Sequence, residues 1–357
     1  MKKVPIVLLP DIEEASTPVS ELLARQELYL SQYMKLTESN DKAIVFISGL
    51  ASHQFPTYSS FEVVSLGSRK ISSPRFALSL LQKIQERDIK PAFIVAGTPF
   101  KPYLISLILK VLKRGTKIQV SVHGELDGIR AGGTLGFLRF QFLRFTINRA
   151  NLIRFVSPIQ AEQFQHLINS GKETVITPVP VDTQKRDQKV GSERSVGFVG
   201  RIHAERGVDD WVRIVKGLND VSVIVAGDGA GLERMKSALP EGKFLGHLLQ
   251  KEINTLWREI GVLLSTAPHE SYGLSMREAL LNGVPVVSRD NAGARELKKL
   301  APDLISIYGN DEHARSEIYR FLETRPSPAS FDSFSATFER EQSKSLQNLA
   351  LAWRDIS

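Results

Sequence analysis

The sequence predicts an α/β protein built from two parallel-sheet domains. Three observations carry that expectation. Short apolar runs alternate with longer amphipathic stretches through most of the 357 residues, the pattern of strand–helix–strand units. A polar, aperiodic stretch, Gln184 to Glu193, interrupts it near the middle. The alternation then restarts, and residues able to hold an anion follow one of the new strands.

In chain order, the first strand is expected at Ile6–Leu9. The apolar run from Val4 to Leu9 is too short for a secretory segment, and Asp11, Glu13 and Glu14 follow at once, so it reads as a buried strand. Further strands are expected at Ala43–Ser48, Ala92–Ala96, Ile118–Val122 and Leu152–Val156, with helices between them. Pro74–Gln85 follows Ser72-Ser73 and carries proline in its first turn, a good helix start. Pro102–Lys113 is a second helix. Its most apolar part, Tyr103 to Leu112, contains Lys110 and is too short to span a bilayer. Gln184–Glu193 reads as a hinge. Beyond it, strands are expected at Ser195–Val199, Val221–Ala226, Val262–Ser265 and Val284–Val287, with Ile305–Ile307 a weaker candidate and Phe334 to Trp353 a closing helix.

Bulk composition narrows the chemistry. The chain is 42% hydrophobic and 24% charged, ordinary for a globular protein, and its length favours two domains over one. It has no cysteine, which excludes disulfides, thiolate catalysis and cysteine-ligated zinc and fits a cytoplasmic setting. The net charge of +7 is uneven: residues 1–190 hold 25 Lys and Arg against 16 Asp and Glu, residues 191–357 hold 21 against 23. A basic first half favours an anionic partner, a lipid surface, a lipid-linked phosphate or a nucleic acid among them, and is read equally as plain solubility, since charge alone does not separate the two. No nucleic-acid motif accompanies the charge. The basic, aromatic stretch from Leu135 to Arg149, with Arg139, Arg144 and Arg149 at near-helical spacing, fits an interfacial membrane helix or a core-packed helix with an arginine-lined outer edge. Lys110, Lys113, Arg114 and Lys117 add a basic cluster.

The chemistry gathers after strand Val262–Ser265, in Thr266-Ala-Pro-His-Glu-Ser-Tyr-Gly-Leu-Ser-Met-Arg-Glu278. Pro268 ends the strand, Gly273 permits a tight turn, and a helix is expected to begin near Ser275. The free amides at such a start, with the positive end of the helix dipole, suit a diphosphate. Glu270 precedes the turn and Glu278 lies about one turn into the helix. Carboxylates accept hydrogen bonds from sugar hydroxyls, so one can hold a ribose and the other a second sugar. Taken singly, each glutamate is better read as an ordinary acid, Glu270 of a loop and Glu278 of a solvated helix face.

Together, with seven residues between them, they resemble the E-x7-E signature of the GT-B glycosyltransferases of family 4. The resemblance runs through the whole second half. Val196-Gly-Phe-Val-Gly-Arg-Ile-His-Ala-Glu-Arg-Gly-Val-Asp209 is similar to the family's segment that binds the donor diphosphate, here through Gly200, Arg201 and Arg206. The family usually has Lys at the last of these; Arg keeps the charge and adds a fork suited to phosphate. Ala226-Gly-Asp-Gly229 resembles the family's G-x-G turn, Phe244-Leu-Gly246 its F-x-G near the base pocket, and Asp290-Asn-Ala-Gly-Ala294 its donor-side glycine loop, with one glycine replaced by Ala292. The resemblance implies two Rossmann-like domains facing across a cleft, residues 1–188 for the acceptor and 189–335 for the nucleotide sugar, with the helix of 336–357 crossing back.

It further implies that Glu278 bonds the ribose, that Glu270 contacts the transferred sugar, and that the backbone of Gly273, Leu274 and Ser275 holds the distal phosphate. His123, at the end of strand Ile118–Val122, would face the donor sugar, although a histidine satisfied by a local turn explains the residue as well. Ala150–Ser157 and Val179–Asp182 match family segments that look structural. The family's glycine-rich loop after the first strand is absent, since Pro10 to Pro18 contains no glycine, and no catalytic role carries onto it. The implied activity is retaining transfer from a UDP- or GDP-type sugar to a glycan or lipid-linked hydroxyl acceptor. No metal is expected, because the Asp-x-Asp motif of metal-dependent transferases is missing. A non-catalytic GT-B binding protein and a GT-B sugar-nucleotide epimerase are the alternatives. The implied location is cytoplasmic, with the inner face of a membrane as a candidate docking place.

Overall fold

The computed structural model describes residues 2–10, 19–48, 55–67, 72–96, 101–112, 115–130, 133–181 and 194–357. The expected hinge Gln184–Glu193, the boundary at 188, Asp182, the loop from Asp11 to Pro18, and Lys113 and Arg114 lie outside them. The chain divides into two compact units, Met1–Pro180 with Gln342–Ser357, and Val181–Glu341.

The first unit holds β1 (Lys2–Leu9), β2 (Ala43–Ile47), β3 (Phe61–Ser65), β4 (Ile89–Ala96), β5 (Ile118–Val122), β6 (Leu152–Phe155) and β7 (Glu173–Ile176). They pair in parallel in the order β3-β2-β1-β4-β5-β6-β7. The second holds β8 (Ser195–Val199), β9 (Ser222–Ala226), β10 (Lys243–Gly246), β11 (Val262–Ser265), β12 (Val286–Arg289) and β13 (Ile305–Tyr308), parallel in the order β10-β9-β8-β11-β12-β13. Central strands such as β2 and β5 are buried throughout, as expected where helices cover both faces of a parallel sheet.

Three strands escape the sequence reading: β3, β7 and β10. All three are edge strands. Their residues are partly solvated, and their burial is broken rather than continuous, so they lack the uninterrupted apolar run that marks a central strand.

Each unit has its own core. In the second, Trp211 is fully buried among Phe198, Ile214 and Phe321, and its indole N–H donates to the Leu264 carbonyl at 3.1 Å. The closing helix runs from Pro328 to Ile356, longer at both ends than Phe334 to Trp353. Its residues up to Glu341 group with the second unit and those from Gln342 with the first. There Leu349, Trp353 and Ile356 join the core of β1, β2 and β4, and the Trp353 indole donates to the Gln119 side chain. No helix of the described residues is long and apolar enough to cross a membrane.

Candidate active site

In a doubly wound sheet, ligands bind beyond the carboxyl ends of the strands where the winding direction reverses. In the second unit that point lies between β8 and β11. The chain leaves β8 into Gly200, Arg201 and Arg206, and leaves β11 into the loop that carries Glu270. Gly200, Arg201, Arg206 and Glu270 therefore come from the two strand ends that flank the reversal.

Local chemistry explains how these loops hold their places. After β8 a short 3-10 turn, Ala204–Arg206, ends at Gly207, which takes the left-handed conformation with φ of 68°. A Cβ there would stand 2.2 Å from the Thr266 carbonyl oxygen, so only glycine lets the two loops approach this closely. The Thr266 hydroxyl completes the join by donating to the carbonyls of Arg206 and Gly207, at 3.0 and 2.9 Å. On the other side, the Gly200 amide donates to the Ala226 carbonyl at 3.0 Å, and the Gly227 amide to the Gly246 carbonyl at 2.7 Å. The ends of β8, β9 and β10 are thus laced together, with Gly200 and Gly246 among the atoms that do the lacing.

Arg206 meets Glu270 directly: its Nη1 donates to Glu270 Oε2. Glu270 Oε1 accepts from the backbone amides of Tyr272 and Gly273, at 3.3 and 3.1 Å. The carboxylate is therefore held by a cation on one oxygen and by the turn before the helix Leu274–Leu281 on the other. Arg206 Nε is buried and has no hydrogen-bond partner among the described residues, which leaves binding capacity at a site otherwise closed upon itself. Arg201 is exposed, with Glu205 Oε1 3.5 Å from its Nη2. Gly273 caps the helix in the left-handed conformation. Leu274 and Ser275 are its first two residues, whose amides have no carbonyl to meet within the helix. The Gly273 amide differs from theirs, because Glu270 occupies it. Glu278 is half-buried on the same helix. His123 follows β5 in the first unit and is half-buried.

Three residues beside this site were not singled out by their sequence pattern. Arg277 is buried, and its guanidinium stacks 3.6 Å from the centre of the Tyr272 ring. Its Nε and Nη1 have no hydrogen-bond partner among the described residues, and burial pushes its pKa down from the usual arginine value. A helical arginine gives no sequence signal of burial, since arginine is mostly exposed. Tyr272 is the platform that covers it. Asn291 caps the helix Ala292–Leu300 through an acceptor bond from the Ala294 amide at 2.9 Å, and its side-chain amide donates to the Ala267 carbonyl at 2.9 Å. An asparagine before an apolar-periodic run is a readable N-cap, and here the same side chain ties the end of β12 to the end of β11. Gly293 follows it, and its amide donates to the Glu270 carbonyl at 2.6 Å. A Cβ on Gly293 would lie 2.8 Å from the Tyr272 carbonyl carbon, so the single glycine kept in Asp290–Ala294 is the one the packing requires. Among the described residues no group of three histidine or acidic side chains gathers in metal-holding geometry.

Comparison with known proteins finds similarity in the second unit and in the fold of the whole chain. Residues 193–322 match the family model of glycosyl transferases group 1. A GDP-mannose-dependent alpha-mannosyltransferase of Mycobacterium tuberculosis is 33% identical over 102 residues, 29% of this chain and 27% of that protein. A 2-deoxystreptamine glucosyltransferase of Streptomyces kanamyceticus is 29% identical over 164 residues, 42% of each chain. The chain thus spans well under half the length of these relatives in the matched segments. Among solved structures, Anabaena HepE in complex with UDP-glucose superposes with a TM-score of 0.69 at 19% identity, over 98% of both chains. Sucrose-phosphate synthase from Thermosynechococcus elongatus gives 0.75 at 13% identity, over 99% of this chain and 97% of that one. At such identities the likeness concerns the fold alone, which is GT-B across the whole chain. The resemblance to glycosyl transferases group 1 thus lies in residues 193–322, and the fold of the whole chain is GT-B.

Proposed function

We propose that the chain is a retaining glycosyltransferase of the family 4 type that moves a sugar from a UDP- or GDP-type donor to a glycan or lipid-linked hydroxyl acceptor, in the cytoplasm. The observation that carries this reading is the Arg206–Glu270 pair, anchored on the Tyr272 and Gly273 amides at the point of winding reversal in a group 1 segment. The matched Mycobacterium protein is named for GDP-mannose and the superposed Anabaena structure for UDP-glucose, which supports a nucleotide sugar and leaves both bases as donors to be tested.

The geometry suggests how such a donor would be received. A diphosphate carries more charge than one carboxylate and offers several oxygens to a guanidinium fork. On binding it would draw Arg206 away from Glu270, satisfy the buried Nε, and take up the Leu274 and Ser275 amides, with Arg201 as the second cation. Glu270, released, would accept hydrogen bonds from hydroxyls of the transferred sugar, and Glu278 from those of the ribose. Gly246 and Gly200 would border the base and the diphosphate, and His123 would take the role the resemblance implies for it, contact with the donor sugar. Catalysis on this scheme is electrostatic. Charge developing on the departing diphosphate meets cations and amides already in place. Departure and attack occur on one face of the sugar, with no enzyme nucleophile, which retains the anomeric configuration.

The test is a panel of UDP- and GDP-sugars followed by thermal shift, since a ligand that binds the folded state raises apparent stability by mass action, and then a turnover assay on the best ligand. Glu270→Ala is expected to abolish hydrolysis and transfer while the protein stays folded. Full turnover in that variant would remove Glu270 from the mechanism. Interconversion of sugar nucleotides without transfer would point to an epimerase.

A further inference from the structure

Where the first half's positive charge sits can be read against the surface of the first unit. Residues 89–161 contain 11 Lys and Arg against only 2 Asp and Glu, Glu125 and Asp127. That difference equals the entire basic excess of residues 1–190; the rest of that half is balanced. The same interval holds the helices Lys101–Leu112 and Gly133–Arg149, neither of which carries an acidic residue.

These two helices also concentrate exposed apolar surface. Of 13 large hydrophobic side chains exposed among the described residues, 7 lie on them. Val111 is 77% exposed, Leu138 63% and Phe137 58%. The helices connect β4 to β5 and β5 to β6, steps in one direction across the sheet. Right-handed crossovers therefore place both on the same face, and they touch.

The helix Gly133–Arg149 has a definite orientation. Phe140, Leu143 and Ile147 are buried and fix its inner face. Leu138 and Phe145, seven residues and two turns apart, share the opposite face. Arg139, Arg144 and Arg149 are exposed around them, and the Arg149 guanidinium lies 4.6 Å from the centre of the Phe145 ring. This departs from a core-packed helix with only an arginine edge outside: leucine and phenylalanine lie outside as well.

We infer that this face docks on an anionic lipid bilayer, with Leu138, Phe145, Phe137 and Val111 entering the headgroup boundary and the arginines meeting lipid phosphates. Charge complementarity selects this occupant. A nucleic-acid backbone would be matched by the arginines but offers nothing to the outward leucine and phenylalanines. A second copy of this chain would set arginine against arginine. The inference gives the lipid-linked acceptor a location without resting on the proposed reaction, because binding is read without turnover.

The test is sedimentation of the full chain with vesicles of phosphatidylcholine alone or doped with phosphatidylglycerol. Binding is expected to be at least ~10-fold tighter to the anionic vesicles and to weaken as salt is added. The double variant Leu138→Glu, Phe145→Glu should lose this binding, keep its thermal midpoint and keep any donor-induced shift, because the residues proposed to hold the donor belong to the second unit. Should that variant misfold, Arg139→Gln, Arg144→Gln, Arg149→Gln removes charge without altering the apolar face, and each substitution is expected to cost ~5-fold in affinity. Equal binding to neutral and anionic vesicles, no binding to either by folded protein, or undiminished binding by both variants would overturn the inference. So would a dimer that Leu138→Glu, Phe145→Glu converts to monomer without any vesicle binding.

Discussion

The two units share one winding scheme and use it differently. Both sheets reverse direction beside their first strand, between β1 and β4 in one and between β8 and β11 in the other. In the second unit the strand ends at that point are laced by short backbone bonds and by glycines whose added Cβ would collide with neighbouring backbone. The result brings Arg206 and Glu270 into contact beside those strand ends. In the first unit the distinguishing features lie on the helices of one face, basic and apolar at once. The second unit is nearly neutral overall, while the first carries the positive excess. One scaffold therefore supports local precision at strand ends in one copy and a broad outer surface in the other. Fold alone does not dictate which.

The largest expected effects test whether the units are separate cores. Trp211→Ala empties a fully buried position in the second unit and removes the bond to Leu264. Trp353→Ala does the same in the first, where the end of the closing helix is packed. Each should cost ~3–5 kcal/mol. In chemical denaturation followed by hydrogen exchange, the first substitution should lower protection in β8 to β13 and the second in β1 to β7. Loss spread equally over both sheets would mean that the chain folds as one cooperative unit.

Next in size is the chemistry. Arg206→Met is expected to reduce turnover ~10²–10³-fold and to weaken the donor-induced thermal shift. His123→Ala, in the first unit, should slow transfer with the donor-induced shift unchanged. Equal loss of donor affinity in the two variants would break the assignment of the nucleotide to the second unit.

The smallest effect is electrostatic and confined to the second unit. Arg213 donates through Nη2 to Asp311 at 3.1 Å and holds the Asp311 carboxyl below the usual carboxylate range. The sign follows from that depressed value. The pair contributes above the unfolded-state pKa of aspartate, and its contribution is lost as pH falls through the lower folded-state value. Asp311→Asn should lower the denaturation midpoint slightly at neutral pH and converge on the wild type in acid. A difference that persists in acid would assign the effect to packing, since surface pairs of this kind contribute little.

Much of this molecule was legible before its structure. Central strands announce themselves because burial on both faces demands an unbroken apolar run, and Glu270, Gly273, Leu274, Ser275 and Glu278 lie within a short segment whose spacing is set by strand, turn and helix. Edge strands β3, β7 and β10 did not announce themselves, because their half-solvated residues carry no such run. Arg277 gave no signal because its burial depends on Tyr272 and on neighbours distant in sequence.

What the sequence by itself determined was the α/β class, the two-part division and the residue types available to grip an anion, all consequences of short-range pattern and composition. Only the tertiary structure decided that Arg206 is held by Glu270 across 64 residues of chain, that Gly207 must be glycine because Thr266 lies against it, and that Leu138 and Phe145 face outward. Each of these depends on which strands become neighbours. Strand order is set by burial summed over the whole sheet, which no local window contains.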